Sequence, residues 1–346
     1  MSLAISDVQP DQLTATELSY SLRNQVHSAI ANHTEFRRER IVTQDNRVKY
    51  SATGQKGNSS DHLGEVFHLM RELNENGISS DKIGRLAQNG RSFRKALERI
   101  CSQIATQANG NPITYVELGP EPVKTSFILK NLQKAGVTIN QYIAVDINPK
   151  STDPMRSALG KVLPGTSLNF VTTSFEEFDL QAYLGKSEIP ALVTMLGFQE
   201  GNDDPFKINE WLRNIAREGD FLLSESQLHA TGQIDKIADF YAHPAMQRFS
   251  RISFEQAIDP AVPTLNRFFL LPVTFQDGQT AQVAILAEEF ATTTDERNLH
   301  VSNFCLKLQL DQYRHYRKIG GYFDIIGETI TDDKTLHFQL SRRNPD

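Results

Sequence analysis

Apolar residues along the chain follow two different spacings, and their order predicts a fold. Residues 113–120 and 142–148 are short, nearly continuous apolar runs, which are typical of buried parallel strands. Between them, residues 124–134 are predicted as a helix, because Phe127, Ile128 and Leu132 are spaced for one helical face. Strand, helix and strand form one βαβ unit, and such a unit binds ligands where its strands end.

Further apolar runs continue the same alternation of strand and helix. Strands are predicted at 168–175, 191–197, 219–225, 321–326 and 335–340, and helices at 208–217 and 307–319. Five steps of strand and helix followed by a closing strand pair predict an α/β fold with a seven-stranded, Rossmann-like sheet.

The N-terminal third of the chain lacks this strand pattern and is predicted to be mainly helical. Helices are expected at 13–33, 62–74 and 93–108, with a polar stretch at 45–61 that is rich in Gly, Ser and Asn. That stretch is interpreted either as a mobile loop or as a lid over the site. Residues 109–112 break the last of these helices and lead into the first strand.

An insertion interrupts the sheet pattern after the fifth predicted strand. Residues 264–275 and 282–289 flank Asp277 and Gly278, which is typical of a β-hairpin. The chain is therefore predicted to divide into a helical region at 1–110, a core at 111–227 and 300–346, and an insertion at 228–299. The helical region and the insertion are expected to form a substrate domain that covers the cleft.

The loop after the first strand restricts the choice of cofactor. A dinucleotide needs a glycine-rich loop whose backbone N–H groups hold its pyrophosphate. Here residues 119–122 contain one Gly and two Pro, which donate no N–H, and Glu121 would repel a phosphate. NAD, FAD and ATP are therefore disfavoured, and S-adenosylmethionine (SAM), which carries no phosphate, is favoured. Glu117 is expected near its cationic end and Asp146 at its ribose hydroxyls.

Three stretches of the chain carry a resemblance to a known family. They are Glu117-Leu118-Gly119 with Lys124-Thr125, Val145-Asp146-Ile147, and residues 196–205 with the sequence LGFQEGNDDP. These stretches resemble the histidine-specific SAM-dependent methyltransferases, which include the ergothioneine-pathway N-methyltransferase. The resemblance implies a class I methyltransferase fold with SAM as cofactor. It also implies an acceptor that is a small amine, an amino acid or an amino-acid-derived natural product, with N-methylation favoured.

The chain departs from the family in the stretch that reads the acceptor. Family members carry an acidic residue and, shortly after it, a Ser ahead of their last helix, and both contact the substrate imidazole. The matching residues 299–305 contain Ser302 and Asn303 but no carboxylate, which disfavours histidine. An O- or carboxyl-methyltransferase remains an alternative. So does a catalytically silent binding module, which the proline-rich first loop favours.

The strand ends supply most of the candidate site residues. Predicted cofactor contacts are Glu117, Gly119, Lys124, Thr125, Asp146, Ser174, Phe175, Leu196 and Gly197. Predicted acceptor contacts are Gln199, Asn202, Ser302 and Asn303, and candidates to orient or deprotonate the nucleophile are Glu200, Glu225 and Tyr50. Ser174 and Phe175 are expected at the adenine, and Leu196 and Gly197 below the methyl group. Asp204 is expected only to start a helix.

Composition narrows the remaining possibilities. A chain of 346 residues is long enough for two cores, and its net charge of −6 is spread without a basic patch, which disfavours a nucleic-acid partner. The sequence has no run of transmembrane length and no secretory signal. Cys101 and Cys305 lie far apart, which predicts reduced thiols and a cytoplasmic location. No metal-ligand spacing is present, a small-molecule partner is expected, and the oligomeric state stays open.

Overall fold

A computed structural model describes residues 21–44, 49–50, 62–80, 93–230, 232, 234–291 and 296–345. Its helices are α1 (Leu22–His33), α2 (His62–Ser80), α3 (Phe93–Ala108), α4 (Pro122–Lys134), α5 (Thr152–Val162), α6 (Leu180–Leu184), α7 (Pro205–Ile215), α8 (Ile234–Tyr241), α9 (Pro244–Ala257) and α10 (Leu310–Lys318). Its strands are β1 (Ile41–Thr43), β2 (Ile113–Leu118), β3 (Ile139–Asp146), β4 (Ser167–Thr172), β5 (Ala191–Met195), β6 (Phe221–Gln227), β7 (Thr264–Thr274), β8 (Thr280–Ala291), β9 (Arg297–Lys307), β10 (Phe323–Ile330) and β11 (Leu336–Arg343). The predicted helix at 13–33 is seen from Leu22, and its earlier part and most of the predicted loop at 45–61 lie outside the described residues.

A seven-stranded sheet forms the larger part of the fold. Its strands lie in the order β10-β11-β6-β5-β2-β3-β4. Strands β2 to β6 are mutually parallel, whereas β11 runs antiparallel to both β6 and β10. The predicted α/β fold with a closing strand pair is therefore confirmed, and it is the class I methyltransferase arrangement that was expected.

Alternating residues of the buried strands cover the two faces of this sheet. Tyr115 and Tyr142 point to the face on which α3, α4 and α5 pack, and Val116 and Ile143 point to the face of α7. Because both faces are covered, the strands read as continuous apolar runs rather than as an alternating pattern. The result is a three-layer sandwich whose central strands β2, β5 and β6 are buried along their length.

A second, four-stranded sheet lies beside the first, with the order β1-β9-β8-β7. Strands β7 and β8 form the hairpin predicted around Asp277, and β9 pairs antiparallel with β8. Helix α1 packs on one face of this sheet through Val26 and Ile30. Helices α2, α8 and α9 pack on the opposite face.

Two boundaries differ from the division predicted from the sequence. Residues 300–307, which were assigned to the core, belong to β9 of the four-stranded sheet. Helix α3, which was assigned to the substrate domain, packs through Leu97 and Ile100 against strands of the seven-stranded sheet. Both differences have one physical reason: spacing predicts which element forms but not which sheet it joins.

Candidate active site

The crevice of the seven-stranded sheet lies where its strand order reverses. From β2 the chain adds β3 and β4 on one side and β5 and β6 on the other. Connections therefore leave the carboxyl ends of β2 and β5 in opposite directions and open a crevice between them. The candidate cofactor residues at the ends of β2, β3 and β5 all border this crevice.

Asp146, the last residue of β3, is half-buried beside the crevice. One of its oxygens accepts a hydrogen bond from the Asn148 backbone N–H at 2.9 Å. Burial raises the pKa of the Asp146 carboxyl to about 6, against the opposing effect of that hydrogen bond. The Asn148 side chain in turn donates to the Leu63 carbonyl of α2 at 3.2 Å, which places α2 next to this strand end. Its predicted contact with ribose hydroxyls stays a prediction.

Glu117, the penultimate residue of β2, is held by side chains within the fold. Its side chain is buried, with Tyr142 OH 2.7 Å from Oε2 and Thr125 Oγ1 2.5 Å from Oε1. Burial raises the pKa of Glu117 to about 7, although both hydrogen bonds oppose that shift. Since both oxygens are engaged within the protein, we assign Glu117 and Thr125 to fixing α4 on the sheet rather than to direct cofactor contact.

The loop between β2 and α4 caps the N-terminus of α4. Glu121 caps α4, because its two carboxylate oxygens accept from the Val123 and Lys124 backbone N–H groups, each at 2.9 Å. Burial raises the pKa of Glu121 to about 7. The N–H groups that bind a phosphate in dinucleotide-binding loops are thus already used. Gly119, with φ of +69°, provides the left-handed turn that leads into this loop.

Glu225 of β6 connects the segments that follow β2 and β5. A single oxygen, Oε2, accepts from Lys124 Nζ at 2.5 Å and from the Gly197 backbone N–H at 2.7 Å. Both side chains of this ion pair are almost fully buried. Glu225 was predicted as a catalytic residue and Lys124 as a cofactor contact, but their geometry assigns them to positioning the loops after β2 and β5.

Glu200, also predicted to be catalytic, lies in a second buried ion pair. Its carboxylate accepts from Arg317 of α10 at 2.5 and 2.6 Å, from Tyr313 OH at 2.5 Å and from Ser224 Oγ at 2.5 Å. Both carboxylate oxygens are thus engaged by neighbouring side chains, so neither is available to take a proton from the methyl acceptor. We therefore assign Glu200 to holding α10 against the sheet. The sequence gives no signal for this pairing, because Arg317 follows Glu200 by 117 positions.

The turn after β5 carries the polar groups nearest to the first loop. Gln199 Nε2 lies 3.4 Å from the Gly119 carbonyl, and Gln199 Oε1 is buried with no hydrogen-bond partner among the described residues. Asn202 ends the same 3-10 turn and is half-buried. Leu196 is buried, whereas Gly197 is exposed at the strand end. Asp204 caps α7, as predicted.

Two candidates follow β4 at the far side of the crevice. Ser174 precedes a 3-10 turn, and its Oγ is buried with no hydrogen-bond partner in the part of the chain that the structure describes. The Phe175 ring packs against the apolar cluster below β5. A buried hydroxyl without a partner beside an aromatic ring suits an adenine, and this contact stays a prediction.

The remaining candidates, Tyr50, Ser302 and Asn303, belong to the part of the chain built around the four-stranded sheet. The Tyr50 ring stacks on Phe249 with centroids 6.2 Å apart, and burial followed by the charge of Asp146 raises the Tyr50 pKa. Ser302 is buried, with Ser250 Oγ at 3.0 Å, and Asn303 beside it is half-buried. The structure therefore brings Tyr50 towards the end of β3, which sequence spacing could not predict.

Comparison with known proteins identifies the class of the protein. Residues 91–242 match a family model described as "Histidine-specific methyltransferase, SAM-dependent". Together with the sheet order, this match makes the protein a SAM-dependent methyltransferase, with SAM as its methyl donor. Within that class, the matched residues are similar to the histidine-specific methyltransferases, and they make up less than half of the chain. The family name alone does not identify the acceptor of this chain.

Other comparisons add little. No curated protein matches the sequence significantly. A Pyrococcus horikoshii protein is 9% identical and has a TM-score of 0.40, covering 80% of this chain and 98% of its own. The Burkholderia thailandensis 1,6-didemethyltoxoflavin-N1-methyltransferase, solved with 1,6-didemethyltoxoflavin and S-adenosylhomocysteine, is 11% identical with a TM-score of 0.37, covering 84% and 93%. A Methanosarcina mazei SAM-dependent methyltransferase is 11% identical with a TM-score of 0.36, covering 67% and 93%. At such scores no argument about this chain rests on them.

Two features are absent from the described part of the chain. Within those residues, no helix is long and apolar enough to cross a membrane. The same residues contain no group of three or more His, Cys, Asp or Glu side chains that could hold a metal ion.

Proposed function

We propose that this protein transfers the methyl group of SAM to a nitrogen of a small amino acid, amine or amino-acid-derived natural product. The observation that carries the proposal is the family match over residues 91–242. The loop after β2 supports the proposal. The first N–H groups of α4 already donate to Glu121, so this site suits a nucleoside cofactor that carries no phosphate.

The residues present fit such a cofactor. Asp146 has a carboxylate oxygen beside the crevice that can accept from ribose hydroxyls. The buried Ser174 Oγ has no hydrogen-bond partner among the described residues, and a bound adenine would supply one. SAM, when bound, supplies an electrophilic methyl group on a sulfonium centre. The protein must then hold an unprotonated nucleophile in line with that methyl group and exclude water. Gln199 Oε1 is the buried acceptor best placed to orient an N–H of the acceptor.

The test combines cofactor binding with product chemistry. Calorimetry with S-adenosylhomocysteine is expected to show one site per chain. Transfer from methyl-labelled SAM to a panel of amino acids and amines is expected to give label that survives alkaline treatment, as an N-methyl group does. Alkali-labile label would instead indicate a carboxyl methyl ester. Absence of any S-adenosylhomocysteine binding would leave only the silent binding module.

We also propose a cytoplasmic location and no nucleic-acid partner. Cys101 and Cys305 are both buried free thiols, which suits a reducing compartment. The net charge of −6 supports a small-molecule acceptor rather than a polyanion.

A further inference from the structure

The turn after β5 contains a residue in a backbone conformation that L-residues rarely adopt. Phe198 lies in the left-handed region, with φ of +65° and ψ of 20°. A side chain crowds the backbone there, and for a bulky residue the conformation is unfavourable. Gly197, the residue before it, has φ of +72°, so two successive residues with positive φ lead from β5 into the 3-10 turn Gln199–Asn202. Strain of this kind persists where the surrounding structure holds it.

Strand β9 of the four-stranded sheet holds this turn through a thiol. Cys305 Sγ donates to the Phe198 carbonyl, 3.4 Å away. Lys307 Nζ donates to the same sulfur at 3.2 Å, so the thiol accepts on one side and donates on the other. Lys307 Nζ also lies 5.2 Å from the centroid of the Phe198 ring. Because both side chains of β9 are buried, these contacts are made away from water.

Gly201 allows β9 to come this close to the turn. A Cβ on Gly201 would lie 2.6 Å from Cys305 Sγ and 2.9 Å from the Leu306 carbonyl oxygen. The second of these atoms belongs to the backbone and cannot rotate away. A glycine is therefore needed at this position for the thiol of β9 to reach the Phe198 carbonyl.

Phe198 connects two residues that border the crevice. The Gly197 N–H donates to Glu225 Oε2 at 2.7 Å, and Gln199 Nε2 lies 3.4 Å from the Gly119 carbonyl. Gly197 is predicted below the methyl group, and Gln199 is predicted at the acceptor. The dihedral angles of Phe198 set the direction of Gln199 relative to Gly197. A relaxation of Phe198 from its left-handed conformation would therefore displace both predicted contacts.

We propose that Cys305 is a positioning residue for methyl transfer, which holds Phe198 in its left-handed conformation and so fixes Gly197 and Gln199 at the crevice. Lys307 orients the thiol for this purpose. The inference rests on the proposed function. The thiol acts through the turn rather than through contact with SAM, so its effect must depend on the residue at position 198.

Calorimetry with S-adenosylhomocysteine tests the role of the thiol. Cys305→Ala is expected to weaken binding by about threefold to tenfold, which is the factor that one hydrogen bond contributes. Cys305→Ser, whose hydroxyl can still donate, should retain most of the affinity. Cys101→Ala is the matched control, because it removes the other buried thiol, in α3, and should lower stability without changing affinity. Wild-type affinity in Cys305→Ala, or an equal loss in Cys305→Ser, would overturn the proposal.

A second background separates positioning from packing. Glycine adopts a positive φ without strain, so in Phe198→Gly the turn no longer needs the thiol. Adding Cys305→Ala to Phe198→Gly should therefore cause little further loss of affinity. The same loss in both backgrounds would refute the inference.

Two further results complete the test. If Cys305→Ala does not fold, Lys307→Met takes its place, since it removes the amine that orients the thiol, and wild-type affinity in that variant would overturn the proposal. Failure of the wild-type protein to bind S-adenosylhomocysteine would instead refute the proposed function.

Discussion

Two acids at the ends of neighbouring strands serve different purposes although burial raises the pKa of both. Glu117 has both oxygens engaged by Thr125 and Tyr142, whose hydrogen bonds favour the ionised carboxylate and oppose the effect of burial. Asp146 is half-buried at the strand end, where Asn148, Ser151 and Ile147 lower its pKa by hydrogen bonding, so part of the carboxylate stays accessible to a ligand. Placement at a strand end is therefore a weaker guide to function than the number of partners that a carboxylate already has.

We expect Asp146→Asn to weaken S-adenosylhomocysteine binding by about 1–3 kcal/mol, because a charged acceptor of hydrogen bonds is lost. In the wild-type protein the affinity should fall as the pH decreases through about 6, since the Asp146 carboxyl, whose pKa is raised to about 6, then becomes protonated. Calorimetry across this pH range measures both effects.

Glu117→Gln is the matched control for that substitution. It should leave the affinity and its pH dependence near wild type, because Glu117 faces α4. A larger loss of affinity in Glu117→Gln than in Asp146→Asn would reverse the assignment of the two acids.

At the scale of elements, single buried carboxylates join segments that are remote in sequence. Glu225 holds α4 through Lys124 and the end of β5 through Gly197, and Glu200 holds α10 through Arg317. These joints fix the loops that form the crevice. A site residue that seems suited to acid–base chemistry by its type can thus be needed for loop position instead.

Lys124→Met is expected to destabilise the protein by about 3–5 kcal/mol, because it leaves the Glu225 charge buried without its cation. The double variant Lys124→Met/Glu225→Gln removes both charges but keeps an oxygen for the Gly197 N–H, and it should be more stable than Lys124→Met alone. Urea denaturation of the wild type, of Lys124→Met, of Glu225→Gln and of the double variant measures the coupling. Simple additivity of the two substitutions would show that the pair does not interact.

Close contact between the loops after β2 and β5 gives a second prediction at this scale. A Cβ on Gly119 would lie 2.2 Å from Gln199 Nε2, and the backbone there has φ of +69°. We expect Gly119→Ala to lower stability by about 1–2 kcal/mol from the backbone alone, with an added cost from the collision. Urea unfolding measures the change in stability, and calorimetry measures the accompanying loss of S-adenosylhomocysteine affinity.

A second background separates the two contributions. In Gln199→Ala, the collision is removed, so Gly119→Ala should cost less than it does beside the native Gln199. An equal cost in both backgrounds would mean that the two loops are not in contact as described.

At the scale of the whole molecule, distant segments complete each other's cores. Helix α1 and β1, near the N-terminus, pack on a sheet built from residues 264–307. Helix α2 packs with α8 and α9 on the other face of that sheet. It also contacts the segment that follows β3, because Asn148 donates to the Leu63 carbonyl. The two sheets are thus tied together beside the crevice, where an acceptor would be enclosed.

Ile30→Ala is expected to destabilise the protein by about 2–5 kcal/mol, since Ile30 is fully buried between α1 and the four-stranded sheet. S-adenosylhomocysteine affinity should be unchanged, because the residue is remote from the crevice. Urea unfolding should be followed both by circular dichroism and by the fluorescence of Trp211, the single tryptophan, on α7 of the seven-stranded half. We expect both signals to shift together. A shift in circular dichroism alone would show that the two halves unfold independently.

Sequence alone determined the elements of the core and the class of cofactor. Buried parallel strands are recognisable because both faces are covered, and α3 ends where predicted because its apolar stripe is local. The proline-rich loop and Glu121 disfavour a phosphate from the sequence alone, since a missing N–H and a negative charge are properties of the residues themselves. Asp204 was correctly expected to cap a helix for the same reason.

Tertiary structure alone decided which polar residues are free to act. Glu225 and Glu200 meet their cations 101 and 117 positions away, and Lys49 meets Ser302 at a separation of 253. It also decided that β9 joins the four-stranded sheet, because membership of a sheet depends on pairing between strands and not on the spacing within one. Local chemistry is encoded residue by residue, whereas the partner of a buried charge is a property of the folded chain.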